Sequence, residues 1–287
     1  MEITTHYRSL KPYLFATAYN ITGQVHEAED IIQDAFEDVL KKKDEDVQNL
    51  KSYLTRIVIN KSIDRLNTLK KARENYPSLW LPEPYITESE NPQSSDILPY
   101  AFLFLLELLN PVERAVFILR ESFGKSYDEI ASLCGVTVDN CRQVLRRARV
   151  KIKQAAQSPD AGKGPSSEQL VQEFLSACLT NNTTRLSELL KRDVILYSDG
   201  GGKVAAARKI LEGFSKVTKF LTGIISKTFE MWSGARHIIV NNQPALLISD
   251  GNGVYTVLIP QAEGGKLARL FIMRNPDKIF LSDRVTK

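Results

Sequence analysis

Hydrophobic residues recur with the period of an α-helix through the first half of the chain. Their stripes predict three helices, at 4–20, 24–42 and 50–74. Gly23 separates the first two, because glycine ends a helical pattern readily. A fourth helical stretch covers 100–124 with a break at Asn110-Pro111, where proline suits a first helical turn since its missing N–H would be unpaired. The first half is therefore predicted to be all-helical.

The stretch Ser126–Arg149 reads as two short helices joined by a tight turn at Gly135. Thr137 can cap the second helix, because its hydroxyl can accept an unpaired backbone N–H. From Arg142 onward, the second helix carries cations and no acid: Arg142, Arg146, Arg147, Arg149, Lys151 and Lys153. This combination is typical of a DNA-binding helix-turn-helix. The plainer alternative is a helical hairpin with a solvated basic face.

The second and third predicted helices carry charges of opposite sign. One face of the second holds carboxylates at helical spacing: Glu27, Asp30, Asp34 and Asp38. Between positions 56 and 73 the third helix carries six cations, offset only by Asp64: Arg56, Lys61, Arg65, Lys70, Lys71 and Arg73. Two such faces indicate two partners, a basic protein surface and a polyanion, although solvated faces would show the same pattern.

A proline-rich segment follows, with five prolines between positions 77 and 99, which excludes a continuous helix. Some 25 extended residues reach roughly 80 Å at ~3.3–3.6 Å each. DNA sites one and a half to two turns apart are separated by roughly 50–70 Å. The segment is therefore long enough to let two DNA-binding domains grip separate elements of one duplex.

The last third of the chain shows both helical and strand-like patterns, unlike the first half. After a flexible linker at 157–167, helices are predicted at 168–180, 183–192 and 204–220, with a strand at Val194–Ser198 between the second and third. Turn residues then separate five strand-like runs: Arg236–Val240, Ala245–Ile248, Val254–Ile259, Leu267–Met273 and Ile279–Leu281. Helices followed by a curved antiparallel sheet make an α+β cone.

Composition and charge exclude some functional classes. The chain is 43% hydrophobic and 25% charged with a net charge of +4, while residues 1–157 hold 21 Lys and Arg against 22 Asp and Glu. Nucleic-acid binding would therefore depend on local patches. The three cysteines form no CxxC pair and suit a reducing compartment. Neither a signal peptide nor an apolar run of membrane-spanning length is evident, so we expect a cytoplasmic protein without membrane attachment.

In collinear order, these pieces resemble an extracytoplasmic-function sigma factor, the promoter-recognition subunit of bacterial RNA polymerase. Ala28–Phe36 looks like the family's region 2.2, which docks on the coiled coil of the largest polymerase subunit. Tyr53–Lys61 looks like regions 2.3 and 2.4, which read and help melt the −10 element. Residues 110–153 look like region 4, which reads the −35 element.

The resemblance assigns roles to particular residues. It implies that polymerase binding falls to Asp30, Gln33 and Asp34. It implies −10 DNA binding by Arg56, Asn60, Lys61 and Arg65, with the Lys43–Asn49 loop as the wall of a pocket for an extruded base. It implies −35 DNA binding by Arg142, Gln143, Arg146, Arg147 and Arg149. Core RNA polymerase and promoter DNA are the implied partners, and no catalytic residue, metal or cofactor is expected.

The last third resembles the SnoaL-like, nuclear-transport-factor-2-like fold, an extension that a subgroup of these sigma factors carries. Three stretches match that subgroup: Trp80–Pro84, Asp199–Lys203 and Asn275–Ile279. The expected organisation is region 2 at 1–74, the proline-rich linker at 75–104, region 4 at 105–156, a linker at 157–167 and the cone at 168–287. The fold class is then two all-α sigma domains, a helical bundle and a helix-turn-helix, followed by an α+β cone.

Two interpretations compete for the cone. Enzymes of this fold use an acid or base inside the cone, which makes Asp199, His237 and Asp250 candidates, although acids in Asp-Gly turns ordinarily serve turn geometry. The favoured interpretation is regulatory, with interdomain contacts by Trp80, Pro82, Asp199, Lys203, Asn275, Asp277 and Lys278. A small ligand in the cone is a further candidate partner. The alternative function is a ligand-responsive DNA-binding regulator that acts without core polymerase.

Overall fold

The computed structural model describes residues 2–41, 49–87, 96–155, 168–207, 209–225, 227, 234–249 and 255–280. The chain forms two compact units. The first consists of Met1–Glu74, Asn91–Leu98 and Phe102–Pro159. The second consists of Asn75–Glu90, Pro99–Ala101 and Asp160–Lys287. The two predicted helical domains thus fall in one unit, and the start of the proline-rich segment falls in the other.

The first unit is helical, as predicted. Its helices are α1 (Glu2–Thr22), α2 (Val25–Lys41), α3 (Leu50–Arg73), α4 (Tyr100–Leu105, shared with the second unit), α5 (Pro111–Glu121), α6 (Tyr127–Cys134) and α7 (Val138–Ala155). A 3-10 turn, Leu106–Leu108, precedes the predicted break. The Asn110 side chain then caps α5 by accepting the Glu113 N–H, and Pro111 occupies the first helical turn.

The helix-turn-helix geometry agrees with its predicted signals. Ser126 and Glu129 form a reciprocal capping box at the start of α6, and hydrogen bonding from the Ser126 backbone N–H lowers the pKa of Glu129 to about 2. Gly135 ends α6 with φ of 64°, a left-handed conformation that glycine adopts at little cost. The Thr137 hydroxyl accepts the Asn140 N–H at 3.2 Å, which confirms Thr137 as the cap of α7.

The second unit is an α+β fold. Its helices are α8 (Glu168–Leu179), α9 (Thr183–Leu189) and α10 (Phe214–Ile225). Its strands are β1 (Ile86–Thr87), β2 (Leu190–Asp199), β3 (Leu211–Glu212), β4 (Arg236–Val240), β5 (Gln243–Ser249), β6 (Tyr255–Glu263) and β7 (Lys266–Met273). They form one sheet in the order β1-β4-β5-β6-β7-β2-β3. The helices bury apolar side chains such as Phe174, Leu186 and Leu221 against one face of it.

Three sequence predictions for this unit need correction. The helix expected at 204–220 begins only at Phe214, because Leu211 first pairs with Leu196 across β2 and β3. The strand expected over 279–281 is not formed at Ile279 and Phe280, which follow a 3-10 turn at Pro276–Lys278; Leu281 lies outside the described residues. The sheet is not wholly antiparallel, since β2 and β7 run parallel.

The proline-rich segment also contributes to the sheet, which the sequence did not predict. Ile86 and Thr87 pair with Ile239 and Val240 and so cover the edge strand β4. The Tyr85 backbone adds two hydrogen bonds with Asn241, one to its side chain. Among the described helices, none is long and apolar enough to cross a membrane.

Candidate functional sites

The predicted polymerase-binding residues lie on the outer face of α2. Ala28, Ile31 and Ile32 bury the opposite face, so the helical period turns the acidic stripe outward. Asp30, Gln33 and Asp34 are all exposed. The structure therefore brings these three together on one accessible surface.

The predicted −10 residues on α3 lie beside that stripe. The Lys61 ammonium is 3.1 Å from an Asp38 carboxylate oxygen and 3.5 Å from one of Asp34, and its hydrogen bond to Asp38 raises the pKa of Lys61. Arg65 forms a two-pronged contact with Glu27. Acids of α2 thus partly neutralise Lys61 and Arg65, two of the predicted DNA-binding cations. The sequence had predicted instead that α3 presents a face that is positive only.

The other two predicted −10 residues are differently placed. Arg56 is exposed and forms no salt bridge or side-chain hydrogen bond with the residues that the structure describes, and Asn60 is half-buried. Of the predicted pocket wall at 43–49, only Asn49 lies within the described residues, where it caps α3. Arg56 is therefore the more available of the two for a phosphate.

The predicted −35 residues occupy the solvent side of α7. Cys141, Val144, Leu145 and Ala148 are buried, which leaves the polar positions between them exposed. Arg142 pairs with Asp139, and Arg149 pairs with Glu121. Gln143, Arg146 and Arg147 have exposed side chains without a salt bridge or hydrogen bond to any described residue, so they are the free members of the set.

Sequence reasoning missed a core shared by the two parts that are predicted to read DNA. Ile21 of α1 and Ile59, Ile63 and Leu66 of α3 belong to one buried cluster with residues of α5, α6 and α7. Because all four are at most 8% exposed, the contact has the character of a domain interior. No sequence motif indicates this shared core, since the apolar stripe on each helix is equally expected for a helix that packs within its own part.

A buried polar network crosses the same core. The Arg114 side chain is fully buried, donates from Nε to the Asn20 carbonyl oxygen at 2.9 Å and pairs with Glu107. Arg73 also pairs with Glu107 at 2.7 Å, and Lys70 donates to the Glu107 carbonyl oxygen. Burial lowers the pKa of Lys70. Cations from α3 and α5 therefore meet on Glu107 in the interior of this unit.

The predicted regulatory residues of the second unit converge on Asp199, whose side chain is fully buried at the end of β2. One carboxylate oxygen accepts hydrogen bonds from the Tyr76 hydroxyl at 2.7 Å and the Gly201 N–H at 2.9 Å. The other accepts from the Leu81 N–H at 3.0 Å and the Lys278 ammonium at 2.7 Å. Asp199 therefore holds the proline-rich segment and the β7 end of the sheet together.

Lys278 completes this arrangement from the other side. Its ammonium donates to the Leu81 carbonyl oxygen at 2.8 Å and lies 4.2 Å from the Trp80 ring centroid and 4.8 Å from that of Tyr76. Aromatic faces stabilise a cation at such distances, more so when it is desolvated. Burial and the hydrogen bond to Asp199 raise the pKa of Tyr76, which keeps the hydroxyl protonated as a donor. We call Tyr76, Ser78, Trp80, Leu81, Asp199, Asn275 and Lys278 the clasp.

The remaining predicted regulatory residues support the clasp or lie at its margin. Asn275 donates to the Tyr76 hydroxyl at 2.9 Å, and the Pro82 carbonyl oxygen accepts the Tyr100 hydroxyl at 2.7 Å. Lys203 and Asp277 form an exposed pair at 2.6 Å. Gly201 has φ of +64° and lies so close to Asn275 that a Cβ would collide with its side chain, which explains the glycine at this position. Tyr76, Ser78 and Tyr100 were not anticipated, since no local pattern marks them.

The proposed catalytic candidates do not form a site. Asp199 is occupied by the clasp, His237 is exposed on β4, and Asp250 lies outside the described residues. Among the residues that the structure describes, no cluster of His, Cys, Asp or Glu could hold a metal ion.

Comparisons with known proteins identify two sigma-factor regions in the helical part of the chain. The family model Sigma-70 region 2 matches residues 6–72, and Sigma-70, region 4 matches residues 101–152. The ECF RNA polymerase sigma factor SigJ of Mycobacterium tuberculosis is 28% identical, covering 97% of this chain and 93% of its own. A protein of the same organism described as a probable ECF sigma factor, SigI, is 26% identical over 96% and 94%.

The crystal structure of Mycobacterium tuberculosis SigJ has the same fold, with a TM-score of 0.80 and 23% identity over 98% of this chain and 99% of that one. Sigma factors are initiation factors without enzymatic activity, and they join core RNA polymerase to promoter DNA. Three findings therefore point to the same family: the two sigma regions in this order, the relatives that match over nearly their whole length, and the shared fold. The chain is an RNA polymerase sigma factor with Sigma-70 regions 2 and 4, and it is similar over nearly its whole length to members of the extracytoplasmic-function group.

Proposed function

We propose that the C-terminal unit controls this sigma factor by holding the segment that connects its two DNA-reading parts. The clasp is the observation that supports the proposal. Region 2 ends near Glu74 and region 4 begins near Phe102, so every residue of the linker sets how far the two parts can separate. A linker held at Tyr76–Thr87 loses up to roughly 40 Å of its extended reach of about 80 Å. Any such loss narrows the margin between the reach of the linker and the roughly 50–70 Å between promoter elements.

Release of the clasp therefore favours promoter binding in this proposal, and its formation opposes it. A small ligand of the C-terminal unit is the proposed input, acting by a different affinity for the held and released states. A purely structural clasp would also be buried and hydrogen-bonded. It would not, however, alter transcription when it is broken in a protein that stays folded.

We assign polymerase binding to Asp30, Gln33 and Asp34, because these side chains are exposed together on α2. Complementary charges across such a surface would steer association and make it sensitive to salt. The partial pairing of Asp34 with Lys61 fits this role, since an exposed ion pair is worth only ~0–1 kcal/mol and exchanges readily for a polymerase cation.

We assign −10 binding to Arg56, Asn60, Lys61 and Arg65, and −35 binding to Arg142, Gln143, Arg146, Arg147 and Arg149. In the second set the free residues Gln143, Arg146 and Arg147 are the proposed base readers, because glutamine and arginine make bidentate contacts with base edges. The paired Arg149 is better suited to a phosphate.

Reversing the charge of the acidic stripe tests the polymerase assignment. Asp30→Lys with Asp34→Lys is expected to weaken binding to core RNA polymerase at least tenfold, because two attractive pairs become repulsive. Fluorescence anisotropy of the labelled sigma factor against core polymerase measures it.

Glu168→Lys, an exposed acid on α8, is the control and should bind like the wild type. Equal affinity of the double variant and the wild type would remove the stripe from the interface, whereas no binding by the wild type would favour a regulator that acts without polymerase.

A further inference from the structure

A recess in the C-terminal unit collects cations from three separate elements. Its volume is about 680 Å³, and it is open to solvent. Arg192 of β2, Lys216 of α10 and Lys266 of β7 line it, together with the apolar side chains of Leu190 and Phe214. It shares no residue with the clasp or with the predicted catalytic candidates.

The lining of the recess carries more positive than negative charge. Glu212 is the single acid in its lining, which leaves a net charge of two positive units. None of the three cations forms a salt bridge or side-chain hydrogen bond with the described part of the chain. Some other cations of this unit do have acidic partners: Lys191 pairs with Glu263, and Arg185 pairs with Glu173 and Glu188.

The position of α10 adds to the positive potential. Its first turn, Phe214–Lys216, lies in the lining, and the first N–H groups of a helix have no intrahelical acceptor. Cations on several elements around a partly apolar recess are the arrangement that binds organic anions, in which charged groups fix orientation and apolar contacts add affinity.

We propose that this recess binds a small organic polyanion, carrying two or more phosphate or carboxylate groups and an apolar part that packs on Phe214. Arg192 would hold one anionic group in a bidentate contact, and Lys216 and Lys266 would neutralise the second. The proposal that this recess is a binding site depends only on the recess itself. Only its use as the regulatory input rests on the proposed function.

Isothermal titration of the full-length protein with inorganic pyrophosphate tests the charge recognition. Arg192→Gln with Lys216→Gln is expected to lower the affinity at least tenfold. The matched control is Lys227→Gln with Arg236→Gln, which removes the same charge from exposed residues outside the recess and should bind like the wild type. Circular dichroism checks that both double variants keep the wild-type fold.

Three outcomes would overturn the proposal: no binding by the wild type, equal affinity of the recess variant and the wild type, or an equal loss in both double variants. A second arm uses a DNA duplex of unrelated sequence. If the recess variant loses duplex affinity but keeps pyrophosphate affinity, the cations contact DNA backbone and the recess is not a ligand site. Lys278→Ala keeps all three recess cations and should still bind pyrophosphate, with an affinity that changes only if the recess ligand distinguishes the held and released clasp. Failure of the clasp proposal and failure of this one can therefore be told apart.

Discussion

Replacing Asp199 by asparagine is expected to release the proline-rich segment from the C-terminal unit. The carboxylate is fully buried and accepts the Lys278 ammonium, so its neutralisation leaves that cation desolvated without its counter-charge. Removing one partner of a buried ion pair costs ~3–5 kcal/mol, which is far more than a single neutral hydrogen bond contributes. Amide hydrogen exchange at Leu81 reports the loss directly, because its N–H donates to Asp199.

The exposed pair of Lys203 and Asp277 provides the matched control. Both side chains are more than half exposed, so Asp277→Asn removes a salt bridge that contributes ~0–1 kcal/mol. Leu81 should stay protected in that variant. If Leu81 also stays protected in Asp199→Asn, the segment is held by the neighbouring β1 pairing and apolar packing, and the clasp is not what retains it.

The two DNA-reading parts are expected to separate when the protein joins polymerase and promoter. In the structure they share a buried core through Ile59, Ile63 and Leu66, whereas promoter elements lie roughly 50–70 Å apart. Spin labels at Lys71 of α3 and Val150 of α7, both exposed, measure the distance. It should lengthen into that range in the complex with core polymerase and promoter DNA.

Native thiols interfere little with this labelling. Cys141 and Cys178 are buried, and burial raises the pKa of Cys134 to about 12, so its reactive thiolate is scarce. A label pair at Lys11 and Lys71, both within region 2, should keep its distance and serves as the control. If the distance between Lys71 and Val150 is the same in the free protein and the promoter complex, the shared core persists during transcription initiation, and the proposed two-part grip is wrong.

Much of the fold was predictable because its signals are local. Asn110-Pro111 and Gly135 mark helix ends through backbone preferences that do not depend on the rest of the chain. The turns at Asn241-Asn242 and Gly264-Gly265 separate strands for the same reason, and all four residues have positive φ. The three stretches that marked the regulatory surface also converge, in that Trp80, Asp199 and Lys278 meet in the clasp.

Features that depend on tertiary contacts were not predictable. Thr87 joins a sheet whose partner strand lies some 150 positions along the chain, and Tyr76 acquires its role only by reaching Asp199. The pairing of Lys61 with Asp34 and Asp38 requires the packing angle of α2 and α3. Separate stripes of charge on two helices do not specify whether those stripes face different partners or each other.

Run-off transcription with core RNA polymerase tests the central claim most directly. Full-length wild type, Lys278→Ala and the control Lys203→Ala are compared on one promoter template at equal, saturating polymerase. Transcription that requires the sigma factor and rises at least threefold with Lys278→Ala, but not with Lys203→Ala, is the result we predict. Equal transcript yields from wild type and Lys278→Ala, with both proteins folded, would contradict control through the clasp.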